Sequence, residues 1–221
     1  MKHAIATLIC LFAVHAHAVK GEDVGSISKK ATPSVLGCSP TELKAIGDEY
    51  SLTTDAVLRR NPISALGSNS LKYATGRVMN ALKNCPETPT SLNGGLIELG
   101  RAYSISASFM MFVELTDSYK SDLCAVSTNA AIGLVDGFAS ILPLNPGAAM
   151  HLGQLPETIA KCNPKLQPEI LRMLQFSRQQ MSTQSIKQGY AGQMDFAQIL
   201  VDGIIERVSK IPAQPWSANI N

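Results

Sequence analysis

One stretch decides how this chain folds, residues 91–142, which read SLNGGLIELGRAYSISASFMMFVELTDSYKSDLCAVSTNAAIGLVDGFASIL. Apolar residues recur at helical spacing in two runs, Ser91–Tyr119 and Ser121–Leu142. Between Ala102 and Pro156 the chain has only five charged residues: Glu114, Asp117, Lys120, Asp122 and Asp136. A helix this poor in charge is usually covered by other elements. We therefore expect a central helical hairpin with the flanking helices packed around it.

Small residues within the hairpin predict that its helices pack closely. Ser104, Ser106 and Ser108 leave room for a neighbouring helix, and their hydroxyls can bond back to the preceding turn. Gly133 and Gly137 each lower helix propensity by ~1 kcal/mol relative to alanine. Glycines tolerated at that cost indicate close packing more often than function.

The chain before the hairpin predicts three further helices. Residues 39–42, Ser-Pro-Thr-Glu, combine a capping serine, a proline at the first helical position and a glutamate three residues after the cap. We expect this helix to run to about Tyr50. A second short helix should follow Thr53 or Thr54 and end before Pro62, because the residue preceding proline avoids helical geometry. A third, residues 70–85, carries five apolar residues on one face: Leu71, Ala74, Val78, Leu82 and Cys85.

The chain after the hairpin also has the helical period. We expect helices over about 156–161, from Pro168 onward, and over about 193–210, with a break at Gly189–Gly192. No run alternates apolar and polar residues as a strand does. The sequence therefore predicts an all-α fold, a single disulfide-stapled helical bundle of about six to eight helices around the central hairpin.

The first eighteen residues have the layout of a secretory signal. Lys2 begins a short positive start, an apolar run follows, and Ala16-His17-Ala18 supplies a small-residue cleavage site. The apolar run is too short to span a membrane, which takes ~20 residues. We therefore expect a secreted, extracellular protein with residues 1–18 as signal peptide, 19–37 as a flexible arm, 38–211 as the helical domain and 212–221 as an extended tail.

Four cysteines remain after the signal peptide is removed: Cys38, Cys85, Cys124 and Cys162. An even number in a secreted chain indicates disulfides. Three pairings are possible, and we favour Cys38–Cys85 with Cys124–Cys162 because each pair then brackets one half of the chain. Each bond is worth ~4 kcal/mol in the chain-entropy model. A metal site is the weaker interpretation, since the cysteines are far apart and His151 is the single remaining histidine.

The nearly balanced charge of the mature chain excludes two classes of protein. Without Lys2 the mature chain keeps 18 of the 19 basic residues against 17 acidic ones. A nucleic-acid-binding protein or a polybasic membrane-surface protein would carry a basic excess. No transmembrane stretch is expected, because Pro143, Pro146 and Pro156 interrupt the uncharged segment 137–156.

No constellation of residues predicts an enzyme, a metal site or a bound cofactor. His151 lies among small residues, and the sequence lacks a Gly-x-Ser-x-Gly elbow and a phosphate-binding glycine loop. Asp48 and Glu49 are adjacent, so on a helix they point in different directions and cannot act on one substrate. Glu114 and Asp117 are close enough on a helix to hold a cation, but an ion pair with Lys120 is the simpler outcome.

Binding is the favoured function. We expect a small apolar ligand or lipid in an interhelical cavity, with five candidate lining residues: Phe109, Met110, Phe112, Val113 and Phe138. The alternative is a secreted structural or protein-interaction component, such as an effector or a constituent of a secreted material, with a filled core and no ligand. A closed apolar cavity above ~300 Å³ favours the first. A filled core with exposed apolar surface favours the second.

The end of the chain carries its one tryptophan, Trp216. It follows Pro212 and Pro215 in a segment without charge. We expect the ring to dock on the protein's own helices, because the prolines reduce the entropy lost when the tail is ordered. The alternative is an exposed anchor for a partner.

Overall fold

The chain is described here by a computed structural model that covers residues 38–60, 69–87, 92–109, 117–145, 147–188 and 191–214. These residues contain no strand, which confirms the all-α prediction. Their nine α-helices, one more than the predicted range, are α1 (Pro40–Arg60), α2 (Asn69–Asn84), α3 (Leu92–Phe109), α4 (Asp117–Cys124), α5 (Thr128–Ile141), α6 (Ala148–His151), α7 (Leu155–Cys162), α8 (Gln167–Gln188) and α9 (Ala191–Ser209). A 3-10 turn, Pro164–Leu166, joins α7 to α8.

Helices α3 and α5 pack on each other more extensively than any other described pair. A Cβ atom added to Gly133 of α5 would collide with the carbonyl oxygen of Ile97 in α3, and one added to Gly137 would lie 2.5 Å from the carbonyl oxygen of Arg101. On the facing helix, a Cβ on Gly100 would lie 2.6 Å from the carbonyl oxygen of Ala130. The two backbones therefore touch, which confirms the close packing predicted from these glycines.

The serines of α3 use their small size in three different ways. Ser104 Oγ donates a 2.6 Å hydrogen bond to the carbonyl oxygen of Leu134 across the α3–α5 contact. Ser108 Oγ bonds back to Ile105 in its own helix at 2.7 Å. Ser106 Oγ lies 3.2 Å from Ser51 Oγ of α1. Helix α3 is thus in contact with α5 on one side and α1 on another, the buried central position that its low charge predicts.

The second arm of the hairpin is not the single helix predicted over Ser121–Leu142. It is divided into α4 and α5 at residues 125–127. The amide of Ser127 donates to the carbonyl oxygen of Leu82 in α2 at 3.1 Å, and its side chain caps α5 by accepting from the amide of Ala130 at 3.3 Å. A tertiary contact and a cap therefore end one helix and start the next. Residues 110–116 of the first arm lie outside the described residues.

Helix α1 is one continuous helix where the sequence predicted two. The predicted start is correct: the Ser39 amide donates to Glu42 Oε2 at 3.1 Å and the Glu42 amide donates to Ser39 Oγ at 3.3 Å, a capping box. The helix continues through Thr54, whose hydroxyl donates to the carbonyl oxygen of Tyr50, one turn earlier, at 2.9 Å. The Thr54 hydroxyl is therefore hydrogen-bonded within this helix and does not cap a new one.

The remaining helices lie close to their predicted positions. Helix α2 begins and ends one residue earlier than predicted. The five predicted apolar positions, the last of which (Cys85) follows the helix, are all buried. Helix α7 includes the predicted 156–161, and α9 begins two residues before the predicted Gln193. The predicted break over Gly189–Gly192 is too long, since α9 already begins at Ala191.

The C-terminal helices α8 and α9 pair side by side. Arg178 of α8 makes a two-pronged ion pair with Asp202 of α9 at 3.0 and 3.1 Å. Gln167 Nε2 at the start of α8 donates to the carbonyl oxygen of Val208 near the end of α9 at 3.3 Å. The two helices therefore run in opposite directions, and buried Leu174, Met181, Val201 and Ile204 belong to the core they share with the rest of the chain.

Both disulfide pairings expected from the sequence are present. Cys38–Cys85 joins the start of α1 to the end of α2, with Cα atoms 5.5 Å apart. Cys124–Cys162 joins the last residue of α4 to the last residue of α7, with Cα atoms 5.1 Å apart. Each disulfide therefore cross-links two helical regions within the same half of the chain.

The ends of the chain carry predictions that the structure does not address. The signal peptide, the arm over residues 19–37 and Trp216 all lie outside the described residues. Residues 212–214, which begin the predicted tail, have no regular secondary structure. None of the described helices combines the length and the apolar character needed to cross a membrane.

Candidate functional site

A groove that is open to solvent lies between α5, the turn that follows it, and α8. Its volume is about 550 Å³. Ten residues line it: Asp136, Ala139, Ser140, Pro143, Leu144, Arg172, Met173, Phe176, Ser177 and Gln180. Five of these ten residues are apolar and five are polar or charged, so the lining is more polar than that of a usual small-molecule site. We call this site the α5–α8 groove.

The spacing of the two helices is set by a buried serine. Ser177 Oγ of α8 donates a 2.6 Å hydrogen bond to the carbonyl oxygen of Ala139 in α5. Ser177 is buried, and a small side chain at this position lets the two backbones approach at the floor of the groove. One turn of α8 earlier, Met173 is 8% exposed and fills the floor beside it.

The wall formed by the α5–α6 connection is held in place by hydrogen bonds to its backbone and side chains. The amides of Leu144 and Asn145 both donate to the carbonyl oxygen of Ile141, at 2.9 and 2.7 Å. Asn145 Nδ2 then donates to the carbonyl oxygen of Ser108 in α3 at 3.0 Å. Leu144 is left 49% exposed at the edge of the groove.

The opposite wall presents an exposed aromatic ring. Phe176 of α8 is 60% exposed although it is one of the largest apolar side chains in the described residues. Exposed single apolar residues are ordinary on protein surfaces. Phe176 and Leu144 are two such residues that line the same groove.

Charged residues occupy one end of the groove. Arg172 pairs with Glu169 one turn earlier in α8, at 2.5 and 2.8 Å. Asp136 lies 3.4 Å from Arg101 of α3. The hydrogen bonds from Arg172 hold the pKa of Glu169 below its ordinary value, and Glu169 raises the pKa of Arg172, with a smaller contribution from Asp136. These charges neutralise one another, so this end of the groove is polar without a strong net charge.

The predicted ligand-binding residues are not among those that line this groove. Phe138 is completely buried in the core, on the same helix as Ala139. The side chain of Phe109 and all of Met110, Phe112 and Val113 lie outside the described residues, so that part of the prediction remains a prediction.

Asp48 and Glu49, the adjacent acidic residues considered from the sequence, have different ion-pair partners. Asp48 pairs with Lys44 at 2.6 Å, whereas Glu49 pairs with Arg77 of α2. The two neighbouring carboxylates therefore point to different partners, as helical geometry requires. His151 is half-buried at the end of α6. Among the described residues no three histidine, cysteine or acidic side chains form a group that could hold a metal ion.

Sequence reasoning missed the groove because its two walls are far apart in the chain. The signals were present in each segment separately: Phe176 is an aromatic residue off the buried face of α8, and Leu144 follows a proline in a turn. What placed them together is the packing of α8 on α5, which no local pattern encodes.

Comparison with protein-family models, curated proteins and solved structures finds no match to this chain.

Proposed function

We propose that this chain is a secreted, non-enzymatic protein-interaction component that receives an amphipathic helix of a partner protein in the α5–α8 groove. The observation that carries the proposal is the exposure of Phe176 and Leu144 within one open groove. An open site bordered by exposed apolar side chains suits the side chains of another protein better than a small molecule, which usually needs to be enclosed over most of its surface.

The dimensions of the groove favour a helical partner. Arg172, Phe176 and Gln180 follow one another at successive turns of α8, so this wall is roughly 12 Å long at 1.5 Å per residue. Asp136, Ala139 and Leu144 follow in the same order along the opposite wall. A groove bounded by a helix on one side, and by a helix with the turn that follows it on the other, accepts a third helix whose apolar residues recur at spacings of three and four.

The distribution of polarity also fits a protein interface. Phe176, Leu144 and Met173 are the apolar part of the groove, and Arg172 and Asp136 lie at one end. Protein interfaces have an apolar centre that excludes water and a polar rim. Aromatic residues at such centres often contribute most of the binding free energy.

The disulfides support the secreted part of the proposal. Disulfides persist in oxidising compartments and are rare in the cytosol. The presence of both pairs agrees with the secretory signal expected from residues 1–18.

The test is selection of binders from a displayed library of amphipathic helical peptides. We expect the selected peptides to share apolar residues at helical spacing and to lose about 2 kcal/mol of binding free energy, roughly thirtyfold in Kd, with Phe176→Asp. The matched control is Phe196→Asp on α9, because Phe196 is 54% exposed but does not line the groove. Equal effects of the two substitutions on binding would contradict the proposal.

A second candidate function, binding of a small apolar molecule or lipid, is favoured by one observation. The groove volume of about 550 Å³ falls within the range of small-molecule sites, ~300–1,000 Å³. Native mass spectrometry of the protein purified from secreting cells distinguishes the two candidates. A retained small molecule that is lost in Phe176→Asp and kept in Phe196→Asp supports this second function.

A further inference from the structure

The two disulfides differ in their exposure to solvent. Cys85 is 3% exposed and belongs to the apolar core, and its partner Cys38 is half-buried and packs against that core. Cys124 and Cys162 are both exposed residues. Thiol–disulfide exchange requires a thiolate to reach a sulfur atom, so access is one of the factors that set its rate. The second bond is therefore open to attack where the first is shielded.

The exposed bond also connects the ends of two short helices that pack on each other, α4 and α7. Beside it, Asn163 Nδ2 lies 3.5 Å from Thr128 Oγ1, which is at the outer limit of a hydrogen bond. By contrast, the α4–α5 corner is held to α2 by the 3.1 Å bond from Ser127 to Leu82 and the 2.7 Å ion pair of Lys83 with Asp122. Opening the disulfide leaves the corner attached to α2 and removes the covalent link between α4 and α7, which are then held together by packing alone.

We propose that Cys124–Cys162 is a thiol-exchange site for small molecular thiols, and that its opening loosens α4 from α7 while Cys38–Cys85 stays closed. A thiolate attacks one of the two sulfurs, a new sulfur–sulfur bond forms, and the bond between Cys124 and Cys162 breaks. The other cysteine leaves as a thiolate and takes a proton from water. A second thiol attacks the mixed disulfide, so the protein gains two thiols and the two reagent thiols are oxidised to their disulfide.

Graded reduction of the native protein tests the first part. The protein is incubated with reduced glutathione and quenched with iodoacetamide. It is then denatured, fully reduced, labelled with N-ethylmaleimide and analysed by peptide mapping. We expect Cys124 and Cys162 to acquire the first label at least about tenfold faster than Cys38 and Cys85, because access limits the buried pair. Equal rates, or faster opening of the buried pair, would overturn the proposal.

Hydrogen exchange of the selectively reduced protein tests the second part. We expect faster amide exchange in α4 and unchanged exchange in α1 and α2. The double variant Cys124→Ser with Cys162→Ser should show the same pattern without any reductant. Unchanged exchange in α4, or a uniform loss of protection through the whole chain, overturns the loosening of α4. The reduction kinetics of the unmodified chain decide the first part even where the variant does not fold.

Discussion

Helix α5 meets two of its neighbours, α3 and α8, in opposite ways. Towards α3 it presents Gly133 and Gly137, and the two backbones touch. Towards α8 it shares one buried hydrogen bond, from Ser177 to Ala139, and beyond that contact the side chains separate to leave the α5–α8 groove. Residue size explains the difference, because small residues allow close approach whereas Phe176 and Leu144 stay exposed at the edge. The same helix thus serves stability on one face and, as we propose, binding on the other.

The largest expected effect contrasts a phenylalanine of α5, Phe138, with one of α8, Phe176. Phe138→Ala should destabilise the protein by about 4 kcal/mol, because a completely buried ring leaves a cavity. Phe176→Ala should change the free energy of unfolding by less than about 0.5 kcal/mol, since its ring is mostly exposed. Urea unfolding of both variants measures the difference. A large loss with Phe176→Ala would mean that the groove is part of the core.

The next largest effect concerns the contact between α3 and α5. Gly133→Ala should cost about 2–3 kcal/mol, because the added Cβ meets the carbonyl oxygen of Ile97 and the backbones must separate. The control is Gly76→Ala in α2, where a Cβ meets nothing within 4 Å. That substitution should stabilise the protein by up to about 1 kcal/mol through helix propensity. Similar unfolding midpoints for the two variants would show that the α3–α5 contact can relax.

A smaller effect isolates the hydrogen bond across that contact. Ser104→Ala should cost about 1–2 kcal/mol, because the bond to the carbonyl oxygen of Leu134 is lost in a buried position. Ser140→Ala, an exposed serine of the groove, should change stability by less than about 0.5 kcal/mol. Thermal unfolding checks both variants. A cost for Ser140→Ala as large as for Ser104→Ala would remove the distinction between the two faces of α5.

The smallest effect is expected at the polar end of the groove. The pKa of Glu169 is lowered by its hydrogen bond to Arg172, so the pair stabilises the folded state above the ordinary glutamate pKa. This contribution is lost as pH falls through the lowered value. It should be small because the Arg172 side chain is mostly exposed and solvent screens the pair. Glu169→Gln should therefore unfold nearly as the parent does at neutral pH, and a loss above 1 kcal/mol would indicate a structural role for the pair.

Local patterns in the sequence predicted the parts of the fold that depend on local chemistry. The capping box of Ser39 and Glu42, the buried face of α2 and the close packing at Gly133 all follow from residue type and spacing. The pairing of the cysteines followed from their distribution along the chain.

The errors at the α4–α5 break and at the groove occurred where a distant residue decides the local structure. The break between α4 and α5 depends on the carbonyl oxygen of Leu82, and no pattern near Ser127 reveals that contact. The α5–α8 groove is a harder case, because Phe176 and Leu144 come from separate segments and a groove has the same residue types as a core. Phe138 illustrates this, since the sequence places it among the candidate cavity-lining residues and the structure places its side chain in the core, two environments with the same composition.

The contact between α3 and α5 also has an evolutionary consequence. A side chain at Gly133 or Gly137 would collide with backbone atoms, which cannot move aside as a flexible side chain can. Substitution there is therefore expected to be purged, whereas most exposed positions are free to diverge. Distant relatives of this chain should retain a small-residue pattern at Gly100, Ser104, Gly133 and Gly137 after the rest of their sequence similarity has disappeared. That sparse pattern, set between the cysteines at positions 85 and 162, is the signature by which such relatives could be recognised.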